Sequence, residues 1–509
     1  MDVNVGSFLH RWAQQDTKRT GIVDTGRDAL ALSYGELDRQ ASRVAAHLLE
    51  RGLGPGDRVA ICTANGLEFV AAWFGTVYAG CTTLPIPVMS TAHEIAFRLQ
   101  HAGCKALLAD AERSAVAYES RTRAGTSTEV LLVEDAIANA TGEAPPCIAP
   151  PDSLAMLLYT SGTTGAAKGV CITHESLGMH TQALVEQTLR LTEQDRILGT
   201  LPLTHSYGIR MTLLVPFFAG ASTVFVPSFS ASRTLELCTT HQITWLPGVP
   251  TMFVAWANEQ SQPTPPSLRW CMSAGAPLAE DVRLRAEKRL GAPVRQGYGL
   301  TEATFTTINA PPDDAAPKSS GKPVAGVDLK IADDFGEALP TGVHGEVLIR
   351  GQNVMAGYLD ERLATAHVMR GGWLHTGDIG FLDDEGRLTI ADRSKDLILR
   401  GGASIYPSEV ENVLAHHAAV RDVAVVGQPD DYYGEEIVAV VVRSADVTVQ
   451  ELDEWAREQL APYKVPRRFA FVDALPQGVS GKTLKRRLRD QLASGEISPE
   501  QLPLHGSAD

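Results

Sequence analysis

Hydrophobic positions along the chain recur with two periods, and the period changes at identifiable places. Over Leu37–Leu53 apolar residues return with helical spacing after an acidic start. Arg58-Val-Ala-Ile-Cys62 is a short run of buried-strand type, and Phe69–Ala79 is again helical. Asp152–Leu158 leads an apolar strand into a Gly/Thr-rich loop, and Leu268–Ser273 and Val294–Tyr298 read as further short strands. This alternation predicts an α/β sheet with helices on both faces. After Pro323 the texture changes. Val327-Asp-Leu-Lys-Ile331 and Gly345-Glu-Val-Leu-Ile-Arg350 alternate apolar with polar residues between turns, which predicts antiparallel strands forming a small β-barrel appended to the α/β core. Asp392–Arg400 is charged. Beyond it a helix at Pro407–His416, strands at Val420–Gly427 and Ile437–Arg443 and a helix at Thr448–Leu460 make a compact α+β unit. The expected organisation is a large N-terminal domain at residues 1–392, a hinge at 393–396 and a small mobile C-terminal domain at 397–509, with the last dozen polar residues mobile.

Composition narrows the class. The chain has 509 residues, 44% apolar and 21% charged, which suits two to four globular units rather than a disordered chain. Its net charge of -15 repels nucleic acid and anionic membrane and suits a cytoplasmic enzyme. The seven cysteines form no C-x-x-C pair and have no zinc-type partners, so they read as buried thiols of a reducing compartment. No signal peptide is expected at the N-terminus. The most apolar stretches, Val70–Val88 and Met211–Pro227, are broken by Gly and Pro and read as core rather than as membrane spans.

Chemistry concentrates first in Tyr159-Thr-Ser-Gly-Thr-Thr-Gly-Ala-Ala-Lys-Gly169. Gly162, Gly165 and Gly169 permit tight turns whose N–H groups can surround phosphate oxygens. Thr160, Ser161, Thr163 and Thr164 add hydroxyl donors, and Lys168 adds a cation. The lysine lies in Ala-Lys-Gly, so the loop is not of the P-loop NTPase type, which ends in Gly-Lys-Ser/Thr.

This run closely resembles the signature of the adenylate-forming superfamily, which includes acyl-CoA synthetases, adenylation domains of nonribosomal peptide synthetases and beetle luciferases. The resemblance continues in order through Tyr298-Gly-Leu-Thr-Glu302, Gly345–Gly351, Tyr358, Trp373-Leu-His-Thr-Gly-Asp378, Asp392-Arg-Ser-Lys-Asp396, Tyr406–Glu411 and Ser480-Gly-Lys482. It implies ATP, Mg²⁺ and coenzyme A. By resemblance Glu302 is the Mg²⁺ ligand and Thr301 touches the phosphates. Tyr298 stacks on adenine beside Gly299, with Gly275, Ala276 and Pro277 lining that pocket. Asp378 accepts from the ribose hydroxyls, and Arg393 is a second ribose contact. Lys482 reaches the substrate carboxylate and α-phosphate, while the arginines after it are expected on a solvated helix face. Lys395 stands where the family hinges between adenylation and thioester formation, and Arg400-Gly401-Gly402 is the loop that would face CoA.

His205 in Leu201-Pro-Leu-Thr-His-Ser-Tyr-Gly208 resembles the histidine of the acyl site. Pocket candidates are Tyr207, Met211, Trp245, Val249, Ala274, Gly297, Thr304 and Phe305. They are mostly apolar, and Ile243–Pro247 has no carboxylate to hold an amino group, so an aliphatic or aryl acid is expected rather than an amino acid. Arg210 is read either as a partner for a second carboxylate or as solvent-facing. Thr204, Ala403, Ser404 and Phe305 depart from common family residues and leave the acid's identity open. The expected reaction is ATP-dependent joining of a small carboxylic acid to CoA. The alternative is loading of a phosphopantetheinyl carrier protein in trans, and a luciferase-like oxidation has no residue that selects it. A homodimer remains an option.

Overall fold

The computed structural model describes residues 4–161, 167–275, 278, 280–311, 319–333, 335–393, 398–405, 407–476, 483 and 485–501. Backbone proximity divides the chain into two compact units. The first is Met1–Val88, Ala96–Tyr159 and Gly169–Asp392; the second is Met89–Ile95, Thr160–Lys168 and Arg393–Asp509.

The first long helix, Tyr34–Glu50, begins three residues before the apolar period does because Ser33 and Glu36 form a capping box. Such a cap contributes about 1 kcal/mol. The helix ends at Glu50 rather than Leu53 because Gly52 takes a left-handed φ of 75°. Leu67–Tyr78 is buried along all 12 residues. Its Gly75 lets the two helices touch, since a Cβ there would lie 2.6 Å from Val44. Phe74 stacks on Phe217 at 5.3 Å, and both belong to one continuous apolar core. Each such buried ring contributes roughly 1.5–3 kcal/mol.

Among the described residues three sheets carry this unit, two of them large. Seven strands run in the order Gly357–Tyr358, Ala167–Thr173, Leu154–Ser161, Thr82–Pro85, Arg58–Cys62, Ala106–Ala109 and Glu129–Leu132. Nine strands form the other, in the order Lys322–Pro323, Thr304–Ile308, Val294–Leu300, Trp270–Ala274, Trp245–Gly248, Arg196–Gly199, Ser222–Phe225, Thr20–Asp24 and Leu30–Ser33. The nine-stranded sheet is parallel in its interior, with antiparallel strands at both edges. Apolar side chains cover both faces, as a parallel sheet requires. The expected barrel region is a curled, five-stranded antiparallel sheet in which Val327–Ala332 pairs with Gly345–Gly351 and that strand with Trp373–Leu382. The two apolar stretches end up inside, and no helix among the described residues is long and apolar enough to cross a membrane.

The second unit is α+β. Val420–Asp430 and Gly434–Arg443 form its long antiparallel pair, and Arg468–Phe471 adds to the latter in parallel. Pro407–Ala415 and Val449–Arg457 pack on a core of Ile398, Val425, Ile437 and Leu452, and Thr448 with Glu451 caps the second helix. The helix Lys485–Ser494 leaves Arg487 exposed and buries Leu488, while Lys485 at its start is paired with Glu411 at 2.6 Å.

Candidate active site

The hairpin of Val294–Leu300 and Thr304–Ile308 positions most of the motif side chains in the first unit. A bulge between Tyr298 and Gly299 sets Gly299 opposite Phe305 and Leu300 opposite Thr304. The strands approach so closely that a Cβ on Gly299 would lie 1.8 Å from the Thr304 carbonyl oxygen. Gly299 is therefore required by the backbone itself. Thr304 takes a φ of 42°, a left-handed value costly for a β-branched residue. Asn353, which sequence reasoning missed, holds this turn: its Nδ2 donates to the Ala303 carbonyl at 2.6 Å from a fully buried position. Thr301 and Glu302 sit in the connection so clamped.

The Tyr298 hydroxyl donates to Asp378 Oδ2 at 2.6 Å, joining two motifs 80 positions apart. Asp378 is buried on Trp373–Leu382. Its own N–H donates to the Thr376 hydroxyl at 3.0 Å, and Glu346 accepts the Gly377 N–H at 2.9 Å and meets His375 Nδ1 at 2.8 Å. Tyr358 donates to Glu302 Oε1 at 2.8 Å. That tyrosine is set by antiparallel pairing of Gly357–Tyr358 with Cys171 and Val170. Glu302 and Asp378 thus each accept a phenol hydroxyl, which fixes the direction of the carboxylate.

Thr160 stands at the end of Leu154–Ser161, and Lys168 near the start of Ala167–Thr173, half-buried. Gly162, Thr163, Thr164 and Gly165 lie outside the described residues, as do Ala276, Pro277, Lys395 and Lys482, and so do the side chains of Ser161 and Arg393. Gly275 follows Ala274 with a φ of 92°, and Gln296 anchors the next segment by accepting the Leu278 N–H at 3.1 Å.

His205 caps the short helix Ser206–Ile209. Its Nδ1 accepts the Tyr207 N–H at 3.2 Å, so in the neutral ring the proton lies on Nε2. Surrounding protein lowers its pKa through desolvation, an effect its open side moderates. Asn65, also missed, fixes the approach to it by donating to the Leu201 carbonyl at 2.7 Å and accepting the Leu203 N–H at 3.0 Å. Tyr207 is buried, its hydroxyl facing the Gly248 and Met272 carbonyls at 3.1 and 2.9 Å, and its ring meets Phe305 edge-on at 5.2 Å. Met211 and Ala274 are buried nearby in the same core, and Gly297 keeps space for the Met272 methyl. Trp245 packs against Trp270 at 5.6 Å, and Val249 precedes the helix Pro250–Asn258. Arg210 does not reach solvent, contrary to one of the two expectations. It is fully buried.

In the second unit Arg400 is held by Glu436 at 2.7 Å, by the Tyr463 carbonyl at 3.0 Å and by the Tyr433 ring at 4.2 Å. Gly401 and Gly402 follow it at positive φ, and the Gly401 N–H donates to the Tyr433 carbonyl at 2.9 Å.

No sequence signal short of three-dimensional pairing identifies Asn353 or Asn65, since each acts on main chain far from it in sequence. Comparison with known proteins bears on the family of the chain. Residues 9–359 match the family model described as AMP-binding enzyme, and residues 409–482 match that of the AMP-binding enzyme C-terminal domain. A long-chain-fatty-acid–CoA ligase of Bacillus subtilis (strain 168) is 32% identical over 95% of this chain and 94% of its own. A feruloyl-CoA synthase of Amycolatopsis sp. is 34% identical over 95% and 98%. Among solved structures, a double mutant of o-succinylbenzoate CoA synthetase from Bacillus subtilis, bound with a product analogue, superposes with a TM-score of 0.89 at 31% identity, covering 97% of this chain and 99% of that one.

Proposed function

This chain belongs to the AMP-binding, adenylate-forming enzyme family, and on that premise we propose that it is an ATP-dependent ligase joining a small aliphatic or aryl carboxylic acid to the thiol of coenzyme A. The observation that carries the reading is the hairpin at 294–308. It presents an aromatic ring bonded to a carboxylate, Tyr298 with Asp378, and four residues on a second carboxylate, Glu302, oriented by Tyr358. A ring for adenine, an acceptor for ribose hydroxyls and a hard oxygen ligand are what a nucleotide with its metal needs.

In the first half-reaction an oxygen of the substrate carboxylate attacks the α-phosphorus of ATP. The bond from that phosphorus to the pyrophosphate oxygen breaks, leaving acyl-AMP. In the second, the CoA sulfur attacks the acyl carbon, its proton passes to solvent, and AMP leaves with the bonding electron pair. Phosphoryl chemistry of this kind depends on positioning and on charges aimed at the phosphate oxygens. Thr160–Lys168 supplies N–H and hydroxyl donors and a cation for the phosphates, and Lys482 a cation for the reacting carboxylate and α-phosphate. Arg393 joins Asp378 at the ribose, Lys395 is the hinge, and His205 orients the acid through Nε2–H. Gly401 and Gly402 admit the thiol arm. Glu302 fits Mg²⁺, which binds through one or two carboxylates with the remaining positions filled by water and phosphate. The ion would neutralise charge on the phosphates.

The test is pyrophosphate release from ATP and Mg²⁺ over a panel of carboxylic acids, with AMP and thioester measured with and without CoA. Pyrophosphate release that depends on the acid, and thioester that depends on CoA, is expected. No acid-dependent pyrophosphate release across the panel would refute the proposal. Release with transfer to a phosphopantetheinyl carrier but not to CoA would reassign the acceptor.

A further inference from the structure

Among the largest fully buried side chains of the described residues, Arg210 is the one that carries a charge. Its Nη1 donates to the Leu177 carbonyl at 2.8 Å and to the Thr181 hydroxyl at 2.6 Å. Its Nη2 is shielded from solvent and meets no acceptor. Among the described residues no carboxylate offsets the burial, which brings the guanidinium down to about 9, so it remains cationic at neutral pH. A buried charge without a partner ordinarily costs several kcal/mol. Two hydrogen bonds to neutral acceptors would be served as well by a glutamine amide, so structural support does not account for a cation here.

Its position supplies the missing reason. Arg210 stands one turn past Tyr207 and opens the π-helical segment Arg210–Leu214, a widened geometry frequent at functional sites. Thr181 adjoins His180, which is fully buried and is kept neutral by its burial and by the Arg210 charge. His180 Nδ1 meets the Thr304 hydroxyl at 3.0 Å, and Thr304 precedes Phe305, whose ring packs on Tyr207. The guanidinium is therefore linked, through Thr181, His180 and Thr304, to the wall on which the acyl group is proposed to lie. Beside that wall the Met272 methyl occupies the space next to Gly297, within 2.8 Å of where a Cβ would stand. A thioether yields to a ligand more readily than a branched side chain.

We propose that Arg210 receives a second anionic group of the substrate, making the preferred acid an α,ω-dicarboxylic acid whose distal carboxylate pairs with Nη2 while the reacting carboxylate lies at His205. The proposal rests on the acid–CoA ligase reading above. Five positions separate His205, the cap of Ser206–Ile209, from Arg210, which opens the π-helical segment, so the length of the preferred diacid reads out the spacing of the two side chains. The distal anion supplies the countercharge that none of the described residues provides.

The experiment compares adipic acid, its monomethyl ester and hexanoic acid by kcat/KM for CoA-dependent pyrophosphate release, with diacids of four to ten carbons to find the length optimum. Wild-type enzyme is expected to prefer adipate or a near homologue over the ester and the monoacid by at least about tenfold, because a site built to bond a polar group rejects an analogue lacking it. Arg210→Met is expected to lower the diacid-to-monoacid ratio by about 100-fold, with the shift in melting temperature on adding ATP reporting that the variant is folded. If Arg210→Met does not fold, the wild-type comparison still decides. Monoacids or esters used as well as the diacids would overturn the inference and assign the free donor to a bound water or chloride, while leaving the ligase reading intact. Absence of pyrophosphate release with every acid in a broad panel would instead remove the ligase reading itself.

Discussion

The carboxylate of Glu302 takes the Tyr358 hydroxyl at 2.8 Å, so its direction depends on a side chain 56 positions away. A single hydrogen bond to a charged group contributes about 1.5–3 kcal/mol. Tyr358→Phe is accordingly expected to lower kcat/KM for pyrophosphate release by about tenfold and to raise the Mg²⁺ concentration giving half-maximal rate. Glu302→Gln, which removes the charge of the proposed Mg²⁺ ligand, is expected to cost at least about 100-fold. If Tyr358→Phe left both the rate and the Mg²⁺ dependence unchanged, the orienting role would be wrong. His180 supports a prediction about pH. Burial, then the Arg210 charge, hold its pKa well below the usual value, so the native ring stays neutral while the unfolded ring takes a proton near pH 6.5. Because the folded value is depressed, this contribution to stability is full above about pH 6.5 and is lost as pH falls below it, by at most about 1.4 kcal/mol per pH unit. The melting temperature of wild-type protein is expected to fall more steeply between pH 6.5 and 5 than that of His180→Gln. Parallel slopes would show that another group carries the acid sensitivity.

At the scale of elements, the hairpin 294–308 is where local sequence and site geometry meet. Gly299→Ala is expected to abolish activity and lower the melting temperature, since a methyl 1.8 Å from the Thr304 carbonyl oxygen requires the strands to part. Near-normal activity of that variant in the pyrophosphate assay would mean the bulge tolerates rearrangement. The elements themselves were legible because buried parallel strands and amphipathic helices leave opposite periods in the sequence. The helix at 34–50 was misplaced by three residues at each end because apolar spacing registers the buried stripe, whereas Ser33, Glu36 and Gly52 set the boundaries. Those three residues were readable as a capping box and a left-handed stop. The site was legible to the extent that its residues lie in short contiguous motifs such as Tyr298–Glu302. The clamp on that motif was not. Asn353 reaches the Ala303 carbonyl across 50 positions, and an asparagine before a turn looks the same whether it faces solvent or a backbone carbonyl. The Lys485–Glu411 pair is equally invisible along the sequence, since Glu411 lies in a separate helix.

For the whole molecule, the chemistry asks one chain to stabilise two different transition states in succession. The first has charge growing on phosphate oxygens; the second has a thiol attacking an acyl carbon. The groups proposed for the first are distributed along the sequence from Thr160–Lys168 to Lys482, so not all of them need serve the second. Lys482 is assigned to the reacting carboxylate and the α-phosphate, whose charge matters while the acid attacks ATP. Once acyl-AMP exists, the electrophile is already formed and the leaving group is AMP. Removing a group that acts in the first transition state alone slows that step and spares the other. Lys482→Ala is therefore expected to lose acid-dependent pyrophosphate release by at least about 100-fold while converting synthetic acyl-AMP and CoA to thioester within a few-fold of wild type. Measuring the halves separately is essential, because the overall rate reports only the slower one. Equal loss in both halves would place the lysine in a site shared by the two steps and would refute a division of labour along the chain.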